Sequence, residues 1–401
     1  MDLYSGLPYW IVKNSLYNYF NPLEKNHKTD VVIIGSGITG ALVTHQLCNA
    51  GISCTVVDKR SIATGSTAAS TAQLQYEVDV PLHKLIKKVG QEHAVAAYKD
   101  SLLAIDEIQQ VVKSININAG YLKVPTVYYT TNKLGQEMLE KEFQARRKFD
   151  LPVDQLLADE LFQYQHIKGK YALVNQTSAQ IDAYKLAVDI FKYHMENSNL
   201  QMFSHTLINV TIPTAEGYEL RTSNGCKIKC KYVIIAAGFE AGTFLPKKIM
   251  KLESTYAMIS EPVHKDQLWP NQSLLWNTDN PYLYMRTTMD NRMIVGGEDV
   301  MFENPIKRDL LMREKTETLQ RKFKRLYPNI AFKPEMTWCG TFSSTKDGLP
   351  YIGAYKTYDK MLFALGYGGN GITFSCIASE MIKNIVLGKK EERLKRYGFD
   401  R

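Results

Sequence analysis

Val31-Val32-Ile33-Ile34 runs straight into Gly35-Ser36-Gly37-Ile38-Thr39-Gly40, and no other stretch narrows the choice of fold as much. Four consecutive apolar residues bounded by glycine read as a strand covered on both faces. Ile38 to Ala50 has the pattern of a helix, and the apolar run Ile52 to Val57 ends in Asp58. In such a strand–turn–helix, Gly35 permits the tight turn, Gly37 lets a pyrophosphate approach the backbone, and Gly40 lets the helix pack closely on the strand. Unpaired N–H groups at the helix N-terminus favour an anion. Asp58 stands about 20 residues on, where a carboxylate accepts ribose hydroxyls. Strand, helix, second strand and acid in that order predict a dinucleotide-binding βαβ unit.

The chain of 401 residues is long enough for two domains or one large composite. No apolar run reaches membrane-spanning length, and Met1-Asp2-Leu3-Tyr4 lacks the features of a secretion signal, so a cytoplasmic protein is expected. The six cysteines, Cys48, Cys54, Cys226, Cys230, Cys339 and Cys376, fit no disulfide framework. Cys226 and Cys230 look like a metal pair, but they follow the hairpin turn Asn224-Gly225 in a strand that separates them by roughly 13 Å. That excludes a disulfide between them. No other His/Cys cluster has ligand spacing, and no metal is expected. The net charge is +8, much of it in Lys307 to Arg325 and in Lys389 to Arg396. Solvated helix faces account for both, with no nucleic acid expected; a peripheral membrane contact is the alternative.

Residues 1–27 form an aromatic and polar arm (Tyr9-Trp10, Tyr17, Tyr19-Phe20). The pattern predicts helices over 82–115, 134–148, 183–197, 307–326 and 372–387, and strands over 120–130, 231–238 and 254–298. Ala236-Ala237-Gly238 has the small residues needed where backbone passes close to a cofactor. Gly366-Tyr367-Gly368-Gly369-Asn370-Gly371 opens the last helix and aims its N-terminus at something electron-rich. Three separated nucleotide-type segments, 28–83, 167–244 and 336–390, imply one cofactor domain interrupted twice. The insertions 84–166 and 245–335 would form a sheet-based substrate domain.

Taken in order, Gly35-x-Gly37-x-x-Gly40, Asp58, Gly65-Ser66-Thr67-Ala68-Ala69-Ser70, Ala236-Ala237-Gly238, Thr345 to Gly353 and Gly368-Gly369-Asn370-Gly371 resemble the D-amino-acid-oxidase-like flavoenzymes. That group includes glycine oxidase, monomeric sarcosine oxidase and γ-glutamylputrescine oxidase, and the arm with Tyr9-Trp10 looks most like the last. The resemblance implies FAD and an α/β fold: a Rossmann-type FAD-binding domain interrupted by a substrate domain of mixed β-sheet plus helices. By position it assigns Gly35, Ser36, Gly37, Thr39 and Gly40 to the pyrophosphate and Asp58 to the adenosine ribose. It puts Lys59 and Arg60 beside the adenosine, Gly65, Ser66 and Ser70 along the ribityl and ring, and Val210 on the adenine side as a backbone contact. Ala237 and Gly238 form the close-approach strand, and Gly348, Gly371 and Ile372 meet the flavin from the far side. Sarcosine oxidases attach flavin through a cysteine seven residues before the Asp of the Asp-Gly turn. Counting back from Asp347 gives Gly340, with Cys339 one position away, so non-covalent FAD is expected.

The resemblance further implies oxidation of an amine or amino acid to an imine, with hydride passing to flavin N5, followed by hydrolysis. Thr373 replaces the lysine that holds a substrate carboxylate in sarcosine oxidase, which fits an amine. The oxygen-activating lysine falls at Ile294, which fits a dehydrogenase. Along Tyr282 to Arg286, Tyr282, Tyr284 and Arg286 share a face. Arg286 is the candidate partner for a substrate carboxylate or carbonyl, a strand-bridging arginine being the alternative. Tyr284 and Tyr367 complete the catalytic candidates. Tyr256 and Trp276 are candidate walls; Lys346, Gln75, Tyr76 and Glu77 either reach the ring or pack elsewhere. Two other functions stay open: a membrane-surface dehydrogenase of the same fold passing electrons to a quinone or carrier, and a flavoprotein acting in RNA modification or as an interaction partner.

Overall fold

The unbroken apolar runs form the centre of a six-stranded sheet because both of its faces are covered. The computed structural model describes residues 4–16, 20–302 and 304–401; Tyr17 and Tyr19 lie outside them. The strand order is Leu200–Phe203, Cys54–Val57, Val31–Ile34, Tyr232–Ile235, Met361–Leu365 and Tyr351–Ala354. All neighbours are parallel except the last pair. Val31 and Ile33 join one core with the helices Ile38–Asn49, Ala183–Asn197 and Gly371–Val386. Val32 and Ile34 join a second core with Leu220 and Ile228 of a four-stranded sheet. Alternate residues are thus buried on opposite faces, which leaves no polar position in the run.

A nine-stranded mixed sheet stands beside it. Its order is Tyr4–Gly6, Pro334–Ser344, Lys251–Ser260, Met293–Met301, Leu283–Thr287, Leu274–Asn277, Thr126–Thr130, Tyr171–Asn175 and Asp154–Leu157. One face packs on the helix Met312–Leu326 through Tyr256, Met258, Leu319 and Phe323. The register between Lys251–Ser260 and Met293–Met301 shifts between Ser254 and Tyr256, so the two strands lose step by Asp299. Such a bulge re-aims the side chains next to it.

Several expectations change. The helix over 82–115 is two, Leu82–Val89 and Gln91–Ser114, divided at Gly90 with φ 85°. The N-terminal arm is built into the fold: Tyr4 pairs with Gly340, the Tyr9 hydroxyl donates to Asp290, and Trp10 Nε1 donates to the Ser70 carbonyl at 2.6 Å. Of the basic run 389–396, only Leu394–Tyr397 is helical, because Arg393 folds back onto Glu391 and Glu380. All six cysteines are free. Among the described residues no helix is long and apolar enough to cross a membrane.

Candidate active site

A cavity of about 1090 Å³ runs from the glycine turn to the face of the nine-stranded sheet. At the turn, Gly35 has φ 114°, and a Cβ there would lie 2.7 Å from the Ala236 carbonyl carbon. Gly37 precedes the helix Ile38–Asn49 and has no side chain with which to cap it. A Cβ on Gly37 would sit 2.9 Å from Thr67 Oγ1, which itself accepts the Ile38 N–H at 3.0 Å. The result is an open helix end with room for a phosphate. Asp58 is fixed beside it: Oδ2 accepts the Ser36 N–H (2.8 Å) and hydroxyl (2.7 Å), and Oδ1 accepts the Arg60 N–H (2.8 Å). Lys59 and Arg60 also line the cavity and are held there by Glu240, at 2.6 and 3.0 Å.

Further along, Gly65, Ser66, Thr67 and Ser70 face the helix Gly371–Val386 across the space. This second helix also begins without a side-chain cap. Asn370 is engaged elsewhere, donating from Nδ2 to the carbonyls of Glu77 (2.8 Å) and Gln75 (3.3 Å). Its N–H groups stay available to an electron-rich ligand atom. The wall opposite comes from the large sheet. Trp276 stacks on Tyr128 with centroids 3.5 Å apart. The Tyr284 ring lies over Gly296, where any Cβ would overlap it, and its hydroxyl is 3.0 Å from Thr255 Oγ1. Glu253, Tyr282, Asp299, Gly340 and Phe342 complete this side.

Of the residues singled out from sequence, Gly35, Gly37, Thr39, Asp58, Lys59, Arg60, Gly65, Ser66, Ser70, Ala237, Gly238, Gly371 and Ile372 line the cavity, as do Tyr284, Tyr367, Trp276, Gln75 and Glu77. Others do not. Ser36 is 1 % exposed and spends both donors on Asp58. Gly40 lies behind the turn, where a Cβ would overlap the Gly35 carbonyl oxygen. Val210 points away into solvent; Thr206, Leu207 and Ile208 are the lining residues of that segment. Gly348 shapes a turn against Val80. Tyr76 bonds to the Pro152 carbonyl, Tyr256 to the Arg308 carbonyl, and Lys346 is exposed. Thr373 and Ile294 are fully packed.

Arg286 is the main correction. It is 1 % exposed, and Nη1 donates to the carbonyls of Thr71 (2.9 Å), Ala72 (2.8 Å) and Ile181 (2.9 Å), with Nε donating to Thr287. Its guanidinium also lies over the Trp10 ring. The strand-bridging alternative therefore holds: Arg286 ties the flavin-side loop to the sheet and has no face toward the cavity. Cys339 likewise sits in the core behind the sheet while Gly340 lines the cavity, as strand alternation requires. No cysteine or histidine lines the cavity.

Sequence reasoning missed a set of acids. Asp79 accepts the Gly369 N–H at 2.8 Å, and burial, with Glu253 nearby, pushes its carboxyl up to about 6. Asp299 is also pushed up to about 6, first by burial and then by Glu253 and Asp79, against the hydroxyls of Thr255 and Tyr282. Neither lies in a motif; Asp299 owes its direction to the bulge. Burial pushes the Tyr367 hydroxyl far up, so it stays protonated.

The cavity residues fit FAD. Ser66 Oγ, Gln73 Nε2, Gln75 Nε2 and Trp276 Nε1 are buried without a protein partner, and native structures leave few such groups unless a ligand or water serves them. Two helix ends whose N-cap residues make no side-chain cap, and a fixed acid, suit phosphate and ribose contacts.

Comparison with known proteins agrees. The chain is 22% identical over 394 residues to gamma-glutamylputrescine oxidoreductase of Escherichia coli, covering 96% of this chain and 89% of that protein. It is 24% identical over 371 residues to glycine oxidase of Bacillus licheniformis, covering 90% and 93%. The fold matches the crystal structure of glycine oxidase from Geobacillus kaustophilus with a TM-score of 0.79 at 18% identity, over 94% of this chain and 99% of that one. The profile of the FAD dependent oxidoreductase (DAO) family matches residues 30–385. With that match spanning most of the chain, and the glycine turn, the acid and the small-residue strand meeting round one cavity, the chain belongs to the DAO family of FAD-dependent oxidoreductases.

Proposed function

We propose that this oxidoreductase converts a C–N bond of an amine or amino acid into an imine, which water then hydrolyses. The observation that carries the reading is the continuity of the cavity from the phosphate turn to an aromatic wall of Tyr128, Trp276, Tyr282, Tyr284 and Tyr367. FAD, when bound, supplies the acceptor for the hydride and its two electrons. Gly35, Gly37, Thr39 and the N-terminus of the helix Ile38–Asn49 would hold its pyrophosphate, Asp58 a ribose, and Gly371 and Ile372 its ring end. The aromatic wall excludes water and disfavours a charged nitrogen, so the reacting amine enters its neutral form, the form that can release hydride. Tyr284, positioned by Thr255 and seated over Gly296, fixes the substrate's approach. With no histidine or cysteine in the lining, chemistry that needs either as base or nucleophile has no support here.

The test is anaerobic mixing of the FAD-loaded protein with a panel of primary and secondary amines and amino acids, followed by flavin absorbance. At least one member should bleach the flavin and yield a carbonyl product. A panel that leaves the flavin oxidised throughout refutes the proposal. Rate of reoxidation in air then separates an oxidase from a dehydrogenase.

A further inference from the structure

The cavity is unbalanced in charge. Among the described residues, seven carboxylates line it (Asp58, Glu77, Asp79, Glu240, Glu253, Asp279 and Asp299) against three cations, Lys59, Arg60 and Lys84. Lys59 and Arg60 are taken by Glu240 at the dinucleotide end, and Lys84 is exposed on the helix Leu82–Val89. Beside the aromatic wall, Asp79, Glu253 and Asp299 are close enough to act on one another electrostatically. The groups that face them are neutral: the Gly369 N–H on Asp79, the Ser344 hydroxyl on Glu253 (2.6 Å), and Thr255, Tyr282 and Tyr284 around Asp299. Asp299 Oδ1 has no hydrogen-bond partner. Glu77, two residues before Asp79 and 5 % exposed, lines the same cavity; its Oε1 is taken by Arg146 (3.0 Å) and Asn175 (2.7 Å), while Oε2 has no partner. Among the described residues no three acids converge as a metal shell. Two buried cations lie near this end: Arg146 is committed to Glu77 and Glu142, and Arg286 to backbone carbonyls. Asp79, Glu253 and Asp299 therefore have no ion-pair partner among the described residues, and a substrate carboxylate has none on this side.

We propose that Asp79, Glu253 and Asp299 receive a second, cationic nitrogen of the substrate, so that the site selects diamines or polyamines over amino acids. This rests on the amine-oxidation reading above. One nitrogen enters neutral against the aromatic wall, and the other stays protonated among the carboxylates. Like charges with no counter-ion are costly in a partly desolvated site, and a bound ammonium removes that cost. Butylamine, with one nitrogen, gains nothing from the acids, and glycine or proline brings a carboxylate into their field.

The experiment uses the FAD-loaded protein with α,ω-diamines of three to six carbons, spermidine, butylamine, glycine, sarcosine and proline. Anaerobic bleaching and calorimetric binding are measured side by side. Diamines or spermidine should bind at least ten-fold more tightly than butylamine. Asp299→Asn and Glu253→Gln should each raise KM and Kd for the diamine about ten-fold, a larger change than either variant makes for butylamine. Bleaching by an amino acid with no preference for any diamine overturns this inference while leaving the oxidoreductase reading standing. Carboxylate binding that is lost in Lys84→Ala overturns it too. If nothing bleaches the flavin, the reaction assignment falls. The binding data then decide alone: saturable diamine binding weakened by Asp299→Asn supports the inference, and its absence overturns it.

Discussion

Gly40→Ala should destabilise the protein even though alanine is the better helix former by about 1 kcal/mol. The added Cβ overlaps the Gly35 carbonyl oxygen and lies 3.1 Å from its carbon and 3.6 Å from Ile33 Cγ2. Gly35 cannot yield easily: its N–H is bonded to the Val57 carbonyl at 2.9 Å, and its φ is 114°. The helix Ile38–Asn49 must therefore lift by on the order of 1 Å, which strains the packing of Ala41, Leu42 and Leu47. Overpacking of this kind costs about 1–3 kcal/mol. Backbone against backbone puts it at the top of that range, so about 2 kcal/mol remains after the gain in propensity. Because the same shift moves the helix end that would meet the pyrophosphate, FAD should bind at least ten-fold more weakly. Urea unfolding of the apoprotein, followed by circular dichroism, reads the first effect, and quenching of flavin fluorescence reads the second. Gly37→Ala is the control. Its Cβ meets only a side-chain atom, Thr67 Oγ1 at 2.9 Å, so it should weaken FAD binding with a smaller loss of apoprotein stability. A Gly40→Ala protein as stable as the parent, with unchanged FAD affinity, would refute the reasoning.

Arg286→Met should lower stability by about 3 kcal/mol or more, since three carbonyls lose a charged donor; a changed KM with an unchanged urea midpoint would instead give Arg286 a place at the substrate. Acid precipitation of the holoprotein should release all of its flavin into the supernatant, in the parent and in Cys339→Ala alike, because Cys339 faces away from the cavity; flavin retained in the pellet contradicts this. Once corrected for the ionisation of the diamine itself, diamine binding should weaken as pH falls through about 6, where Asp79 and Asp299 take up protons. The sign for folding is opposite. Because both carboxyls are raised in the folded state, their ionisation opposes folding above about 6, and this penalty is relieved as pH falls toward the unfolded value. Calorimetric titration at several pH values and urea midpoints over the same range check the two directions.

The phosphate end of the cavity was legible in the sequence because its geometry is local. Gly35, Gly37 and Gly40 act within one strand–turn–helix, and Asp58 follows on the adjacent parallel strand. The substrate end was legible only in part. Alternation along Tyr282 to Arg286 put Tyr284 and Arg286 on one face correctly, but the Thr71-Ala72 turn that takes up the guanidinium is more than two hundred residues away in sequence. Val210 stands beside the lining: Thr206 to Ile208 meet the cavity and precede the exposed part of that strand. Asp299 had no signal at all, since the bulge that directs it arises from pairing with Lys251–Ser260.

One border of the large sheet is the strand Tyr4–Gly6: Tyr4 lies opposite Gly340, and Ser5 opposite Cys339. A ribosome must therefore deliver nearly the whole polypeptide before that border can form. Pairings so distant along the chain make assembly slow. Until it is complete, the neighbouring edge is open to other chains, so overproduction should reward cool, unhurried growth, and a bulky fusion placed ahead of Tyr4 should lower the yield of soluble, yellow material.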